Sequence, residues 1–281
     1  MGHTCFEVEV ADGVGHLRLN RPDAYNTMVA EFWAELPRIV ADLDSSGDCR
    51  ALVLSSTGKH FTAGMDLGVF TGDSSLLGGG RPKEEGRRRS QLWLAVQHLQ
   101  DSFTSLERAR MPVLAAVQGG CIGGGVDMVC AADMRYATQD AFFCVQEINI
   151  GMTADVGTLQ RLPKLIPEGV AREWAYTGDR IPAARAREVG FVNEVYPSHD
   201  EMMDAVLGIA RRIASHSPLA IWGTKEMISY TRDHSVADSL RYMAGWQAGM
   251  FQPDDMMEEF AAKTEGRDPS FDDLPGRPEP W

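Results

Sequence analysis

The chain of 281 residues has no run of about 18 apolar residues, so no membrane-spanning helix is expected. Basic charge is scarce: 27 Lys and Arg stand against 40 Asp and Glu, a net charge of -13. That balance argues against a nucleic-acid partner. An anionic ligand would have to be met by local bases or by backbone N–H groups. The five cysteines, Cys5, Cys49, Cys121, Cys130 and Cys144, contain no C-x-x-C pair. Buried thiols are expected, not a disulfide framework or a zinc site. The seven histidines lack ligand spacing and no H-E-x-x-H occurs, so no metal is expected. The start, MGHTCFEVEV, has no basic or apolar signal region, and the end, RPEPW, matches no peroxisomal or retention signal. A cytoplasmic location is the expectation.

Glycine is not scarce, but its clusters exclude common readings. Gly119-Gly-Cys-Ile-Gly-Gly-Gly125 has no following Lys-Ser/Thr and no G-x-G-x-x-G register, which removes the phosphate-binding and dinucleotide loops. No G-x-S-x-G nucleophile elbow occurs either.

Hydrophobic periodicity predicts the elements. Phe6, Val8 and Val10 alternate, Asp12-Gly13 turns, and Val14, Leu17 and Leu19 follow, which reads as a hairpin. Residues 28–43 read as a helix with Pro37 as a kink or break. Ala51–Leu54 and Pro112–Val117 read as buried strands, and Leu92–Leu106 as a helix. Residues 71–90 read as an exposed mobile loop. Beyond residue 200 the pattern is helical, with Ser235-x-x-Asp238 as a capping box. The last sixteen residues hold four prolines and read as a tail, disordered or laid on a neighbour. Alternating strands and helices predict an α/β fold with a mainly parallel sheet.

Two glycine turns follow apolar strands: Phe61–Leu67 and the Gly119–Gly125 cluster. Each can aim a free N–H outward, and together they could form an oxyanion hole. Tight packing turns would look the same. Three acids lie near the second turn. Asp127 sits in the apolar frame Gly-Val-Asp-Met-Val-Cys-Ala-Ala, Glu147 after a strand-like run, and Asp155 where a helix could start. Taken singly they could equally be a buried ion-pair member, a surface acid and a helix cap.

Together these segments resemble the crotonase, or enoyl-CoA hydratase/isomerase, superfamily. The carrying residues are Gly58-Lys-His-Phe-Thr-Ala-Gly-Met-Asp-Leu67 and Ala116-Val-Gln-Gly-Gly-Cys-Ile-Gly-Gly-Gly-Val-Asp127. Asp133-Met-Arg-Tyr136 and Thr177-Gly-Asp-Arg-Ile-Pro-Ala-Ala184 add support. Within it the likeness is greatest to dienoyl-CoA isomerases, through Ala154–Lys164 and Ser229–Val236, with Gln118 where that group has His.

The resemblance implies a crotonase-like spiral of ββα units followed by a C-terminal helical trimerisation region. Residues 1–199 would form the core with the acyl-CoA site, 200–264 the oligomerisation region, and 265–281 the tail. It implies Met65 and Gly124 as oxyanion-hole donors, and Ala63, Gly64, Met65, Asp66, Leu67 and Gly124 as substrate-binding residues. It implies Asp127, Glu147 and Asp155 as the catalytic acids: Asp155 takes a C2 proton, Glu147 donates one at C6, and Asp127 is auxiliary. The substrate would be an acyl-CoA thioester, with no separate cofactor, and the assembly a homotrimer or homohexamer. Phe143, Cys144 and Met152 are candidate pocket walls, and Arg87, Arg88 and Arg89 either hold CoA phosphates or face water. The alternatives are an enoyl-CoA hydratase and a non-catalytic binding protein of the same fold.

Overall fold

The computed structural model describes residues 2–66, 68–71 and 84–278. Strands Phe6–Ala11 (β1) and Val14–Leu19 (β2) form the expected hairpin. Asp12 and Gly13 turn it at φ 52° and 74°, the left-handed pair that matches strand twist. Helix α1 covers Ala30–Ser46.

From β3 (Ala51–Ser56) the chain winds as a spiral. Each turn lays a strand in one sheet, a second strand or bridge in another, and then a helix. The first turn runs from β3 through a bridge at Thr62 to α2 (Gly68–Thr71) and α3 (Glu85–Arg108). The second runs from β4 (Val113–Val117) to β5 (Gly120–Ile122) and α4 (Gly124–Cys130). The third has β6 (Met134–Thr138), β7 (Phe142–Cys144), a 3-10 turn at Gln146–Ile150, α5 (Thr158–Leu165) and α6 (Glu168–Thr177). Then come β8 (Ile181–Pro182), α7 (Ala183–Glu188), β9 (Glu194–Tyr196), α8 (His199–Ala214), α9 (Pro218–Thr231), α10 (Val236–Met250) and α11 (Pro253–Glu265). The larger sheet has the order β1-β2-β3-β4-β6-β9, parallel except at the hairpin, and the smaller is β5-β7-β8.

Both faces of the larger sheet are covered, which is why its inner strands read as unbroken apolar runs. Leu52, Leu54, Val113 and Ala115 face a core with α1, α3 and α4 residues such as Phe32, Leu36, Phe103 and Val126. Ala51, Val53, Leu114 and Ala116 face Met202, Met203, Val206 and Ala210 of α8. The boundary placed between residues 199 and 200 thus falls at the first residue of a helix that seals the sheet. Helices α9 to α11 instead leave Leu240, Met243, Met250, Phe251, Met257 and Phe260 exposed.

Three expectations need correction. Residues 71 and 85–90 are not loop, since α2 ends at Thr71 and α3 begins at Glu85. Arg87 pairs with Glu84, and Arg88 and Arg89 with Glu85, the spacing of neighbours on a helix. Residues 72–83 of that stretch lie outside the described residues.

Pro37 does not break α1. Lacking an N–H, it leaves the Trp33 carbonyl without its helical donor. The buried Ser102 hydroxyl of α3 donates to that carbonyl at 3.1 Å.

The tail to residue 278 lies on its own chain. Arg50 donates to the Phe271 carbonyl (2.6 Å) and Arg110 to the Pro275 carbonyl (2.8 Å). Phe271 is buried, and Arg277 pairs with Asp44.

Ser102→Ala leaves a buried carbonyl unsatisfied and is expected to cost about 1–2 kcal/mol. Urea unfolding of the two proteins checks this, and indistinguishable midpoints would remove Ser102 from that role.

Candidate active site

Equivalent places in three successive turns supply the site: Met65 after the Thr62 bridge, Gly124 after β5, and Glu147 after β7. Segment 61–66 is clamped from both sides. Phe61 N–H donates to the Gln118 carbonyl (2.9 Å), Thr62 N–H to Gly120 (3.1 Å), and Ile122 N–H to Thr62 (3.2 Å). Across from these, Met28 N–H donates to Gly64 (2.9 Å) and Asp66 N–H to Met28 (3.1 Å). A parallel bridge bonds the neighbours of Met65, so its own N–H points away from residue 28. Gly124 opens α4, where the first N–H groups have no helical acceptor. Neither amide has an acceptor among the described residues.

Glycine sets how close these turns come. Gly64 lies at φ +87°, and a Cβ there would stand 2.7 Å from the Ile122 carbonyl oxygen and 3.6 Å from the Gly124 nitrogen. A Cβ on Gly125 would strike Thr62 Cγ2 at 2.5 Å. Gly123, at φ +53°, would place one 3.2 Å from Glu147 Oε1. The Glu147 carboxyl therefore lies directly against the turn that presents the Gly124 amide.

The three acids form one electrostatic cluster. Burial raises the Glu147 carboxyl to about 7, helped by the charges of Asp127 and then Asp155. Burial raises Asp127 to about 6, opposed by bonds from Thr158 and assisted by Asp155. Burial also raises Asp155. Asp127 is fully buried on α4, and its Oδ1 accepts the Thr158 N–H at 2.6 Å. Glu147 Oε2 and Asp127 Oδ2 are buried without partners among the described residues. Such a set can hold protons near neutral pH and release them to a bound ligand.

Other expected residues fall as follows. Ala63 donates its N–H to the Tyr25 carbonyl, and Gly64 its N–H to the Thr62 hydroxyl. The Asp66 carboxylate accepts from Thr27 Oγ1 and Gly68 N–H, so its charge is spent within the fold. Leu67 lies outside the described residues. Phe143 is buried edge-on to Phe191, Cys144 is buried, and Met152 is half-buried. Among the described residues no cluster of three His, Cys, Asp or Glu side chains is arranged to hold a metal.

Several supports were missed. Gln118, which stands where the isomerase group has His, is buried and donates to Ser56 and Gly58 carbonyls. His60 Nδ1 accepts the Gly120 N–H (2.9 Å). Asn26 ties the Thr57 and His60 carbonyls, and Gln100 of α3 donates to the Asp155 carbonyl (2.7 Å). Only the Gln118 substitution left a trace in the sequence.

Comparison with known proteins shows the family. The Enoyl-CoA hydratase/isomerase family matches residues 9–274. The Homo sapiens "Delta(3,5)-Delta(2,4)-dienoyl-CoA isomerase, mitochondrial" is 44% identical over 256 residues, covering 90% of this chain and 76% of that protein. An Arabidopsis thaliana protein of the same name, peroxisomal, is 38% identical and covers 92% of each. A solved enoyl-CoA hydratase from Bacillus anthracis superposes with a TM-score of 0.83 at 29% identity, over 95% of this chain and 99% of that one. The mitochondrial and peroxisomal designations of those relatives overturn the cytoplasmic expectation.

The folded chain keeps the Glu147 proton up to about pH 7, whereas an ordinary carboxyl releases it near 4.5. Stability contributed by this group therefore falls as pH rises between those values. Glu147→Gln is expected to be more stable than the parent at pH 8 by about 1–3 kcal/mol, with the gap closing below pH 4.5. Denaturant unfolding at pH 8 and pH 4 checks it; a variant less stable at pH 8 refutes the assignment.

Proposed function

The chain belongs to the enoyl-CoA hydratase/isomerase family, and on that premise we propose that it isomerises 3,5-dienoyl-CoA to 2,4-dienoyl-CoA. The thioester oxygen accepts from the Met65 and Gly124 amides. Asp155, ionised, removes a C2 proton, and the C–H electrons enter the conjugated chain as a dienolate spread from the oxygen to C6. Glu147, protonated, delivers a proton at C6. The double bonds then lie at C2 and C4, Asp155 holds the proton taken, and Glu147 is left ionised. The amides act where charge develops, so they favour the dienolate over bound substrate.

One observation carries the reading: the Glu147 carboxyl lies against the Gly123–Gly124 turn, where burial favours its protonated form and the charge of a second acid, Asp155, adds to that. A hydratase would need two carboxylates around one water. Asp127 spends an oxygen on the Thr158 N–H, which supports isomerisation over hydration. A shell that only binds would have no use for one buried and two half-buried acids whose desolvation opposes folding.

The exposed apolar residues of α10 and α11 support a homotrimer or a homohexamer, with 200–264 contributing most of the contact. Sedimentation at micromolar concentration is expected to show such an assembly, and a monomer alone would remove that part.

Ultraviolet absorbance on mixing with 3,5-dienoyl-CoA tests the chemistry. The parent is expected to form the 2,4-conjugated thioester with little hydration of 2-enoyl-CoA. Glu147→Gln and Asp155→Asn should each lose at least about 100-fold in kcat. Equal rates in all three proteins, or hydration without isomerisation, would overturn the proposal.

A further inference from the structure

Asp127 sits beside Glu147 and Asp155, yet its geometry differs from theirs. It is fully buried and one of its oxygens is already committed, to the N–H of Thr158 at 2.6 Å. Thr158 is the first residue of α5, and the residue before it, Gly157, has no side chain to cap the helix. Asp127 thus serves α5 as an N-cap from another helix, 31 residues earlier in the chain. A carboxylate there satisfies an orphan donor and meets the positive end of the helix dipole. The Thr158 hydroxyl is also buried and makes no hydrogen bond among the described residues, so the grip runs through its N–H. Asp155 lies three residues before Thr158, and its own carbonyl is held by Gln100. The short segment 155–158 is therefore pinned at both ends, by α3 at one and α4 at the other.

We infer that Asp127 and Thr158 form a positioning pair: the α4 carboxylate grips the start of α5 and so sets the place of Asp155, while Glu147 and Asp155 alone exchange protons with substrate. This rests on the proposed isomerase reading. The pair also sets the charge around Glu147. That carboxyl faces Asp127 from α4, Asp155 from the segment before α5, and the Cys144 thiol from β7. Asp127 itself faces Asp155, Arg161 of α5 and the thiols of Cys121 and Cys130. An ionised Asp127 keeps the proton on Glu147. Removing its charge frees that proton at lower pH.

The experiment compares the parent with Asp127→Ala and Asp127→Asn. Isomerisation is followed from pH 5 to 9, and amide hydrogen exchange of 155–160 is measured on the same proteins without substrate. Asp127→Ala removes the acceptor of the Thr158 N–H and should lower kcat about 10- to 100-fold through misplacement of Asp155, with KM changed less than about twofold. Asp127→Asn keeps the acceptor oxygen, so it should retain measurable turnover. Its high-pH limb should move down by about half to one unit as the like charge is lost. Exchange of 155–160 should quicken in Asp127→Ala about tenfold and not in Asp127→Asn. Loss of turnover in Asp127→Asn equal to that of Asp155→Asn, with an unmoved limb, would make Asp127 a proton carrier and overturn the inference. So would unchanged exchange in Asp127→Ala. Absence of turnover in the parent would count against the isomerase reading alone, because the exchange comparison stands without substrate.

Discussion

The backbone pairing between residues 61–66 and 118–122 is the interaction on which the site depends. Its hydrogen bonds, from Phe61 to Gln118 and between Thr62 and its partners Gly120 and Ile122, join two turns of the spiral that are about sixty residues apart in sequence. They bring the Met65 and Gly124 turns together and leave both amides without acceptors among the described residues. A buried donor is costly to leave unpaired, so such a pair persists only where the surrounding ladder over-determines it. Met28 supplies that surplus by bonding to both neighbours of Met65, while Gln118 and His60 brace the segments that lead into the two turns.

The acids impose the opposite tension. Asp127, Glu147 and Asp155 each lose hydration; the charges of Asp127 and Asp155 favour the proton on Glu147, and that of Asp155 favours the proton on Asp127. The cluster lowers stability at neutral pH, and the two closed core layers on either side of the larger sheet offset that cost. One cluster can then hold an acid and a base at once, since each group sits in a different environment. Glu147 lies against a glycine turn, Asp127 under a helix start, and Asp155 in a half-buried segment.

What was legible in the sequence was local or carried by motifs. The Asp12-Gly13 hairpin, the buried strands, the Ser235 cap and both glycine turns follow from neighbours in the chain. The three acids could be picked out because their frames were apolar or strand-bounded. Contacts across long separations left no such mark. The Ser102 hydroxyl that lets α1 continue past Pro37 is 69 residues from the carbonyl it serves. The Gln100 bond to Asp155 spans 55 residues, and the Asp127 bond to Thr158 spans 31. The start of α3 was misread because Gly, Arg and Glu mark loops by composition and helices only by their spacing.

The folded-back tail makes one further point about how this chain can vary. Arg50 and Arg110 grip it by main-chain carbonyls, at Phe271 and Pro275, with the Asp273 carboxylate as a side-chain addition to the Arg50 contact. A carbonyl is supplied by every amino acid alike, so drift in most side chains of this stretch would leave the grip intact. Deleting a single residue would instead shift every later oxygen off its guanidinium. Reading frame along the strap, more than composition, is what the clasp constrains.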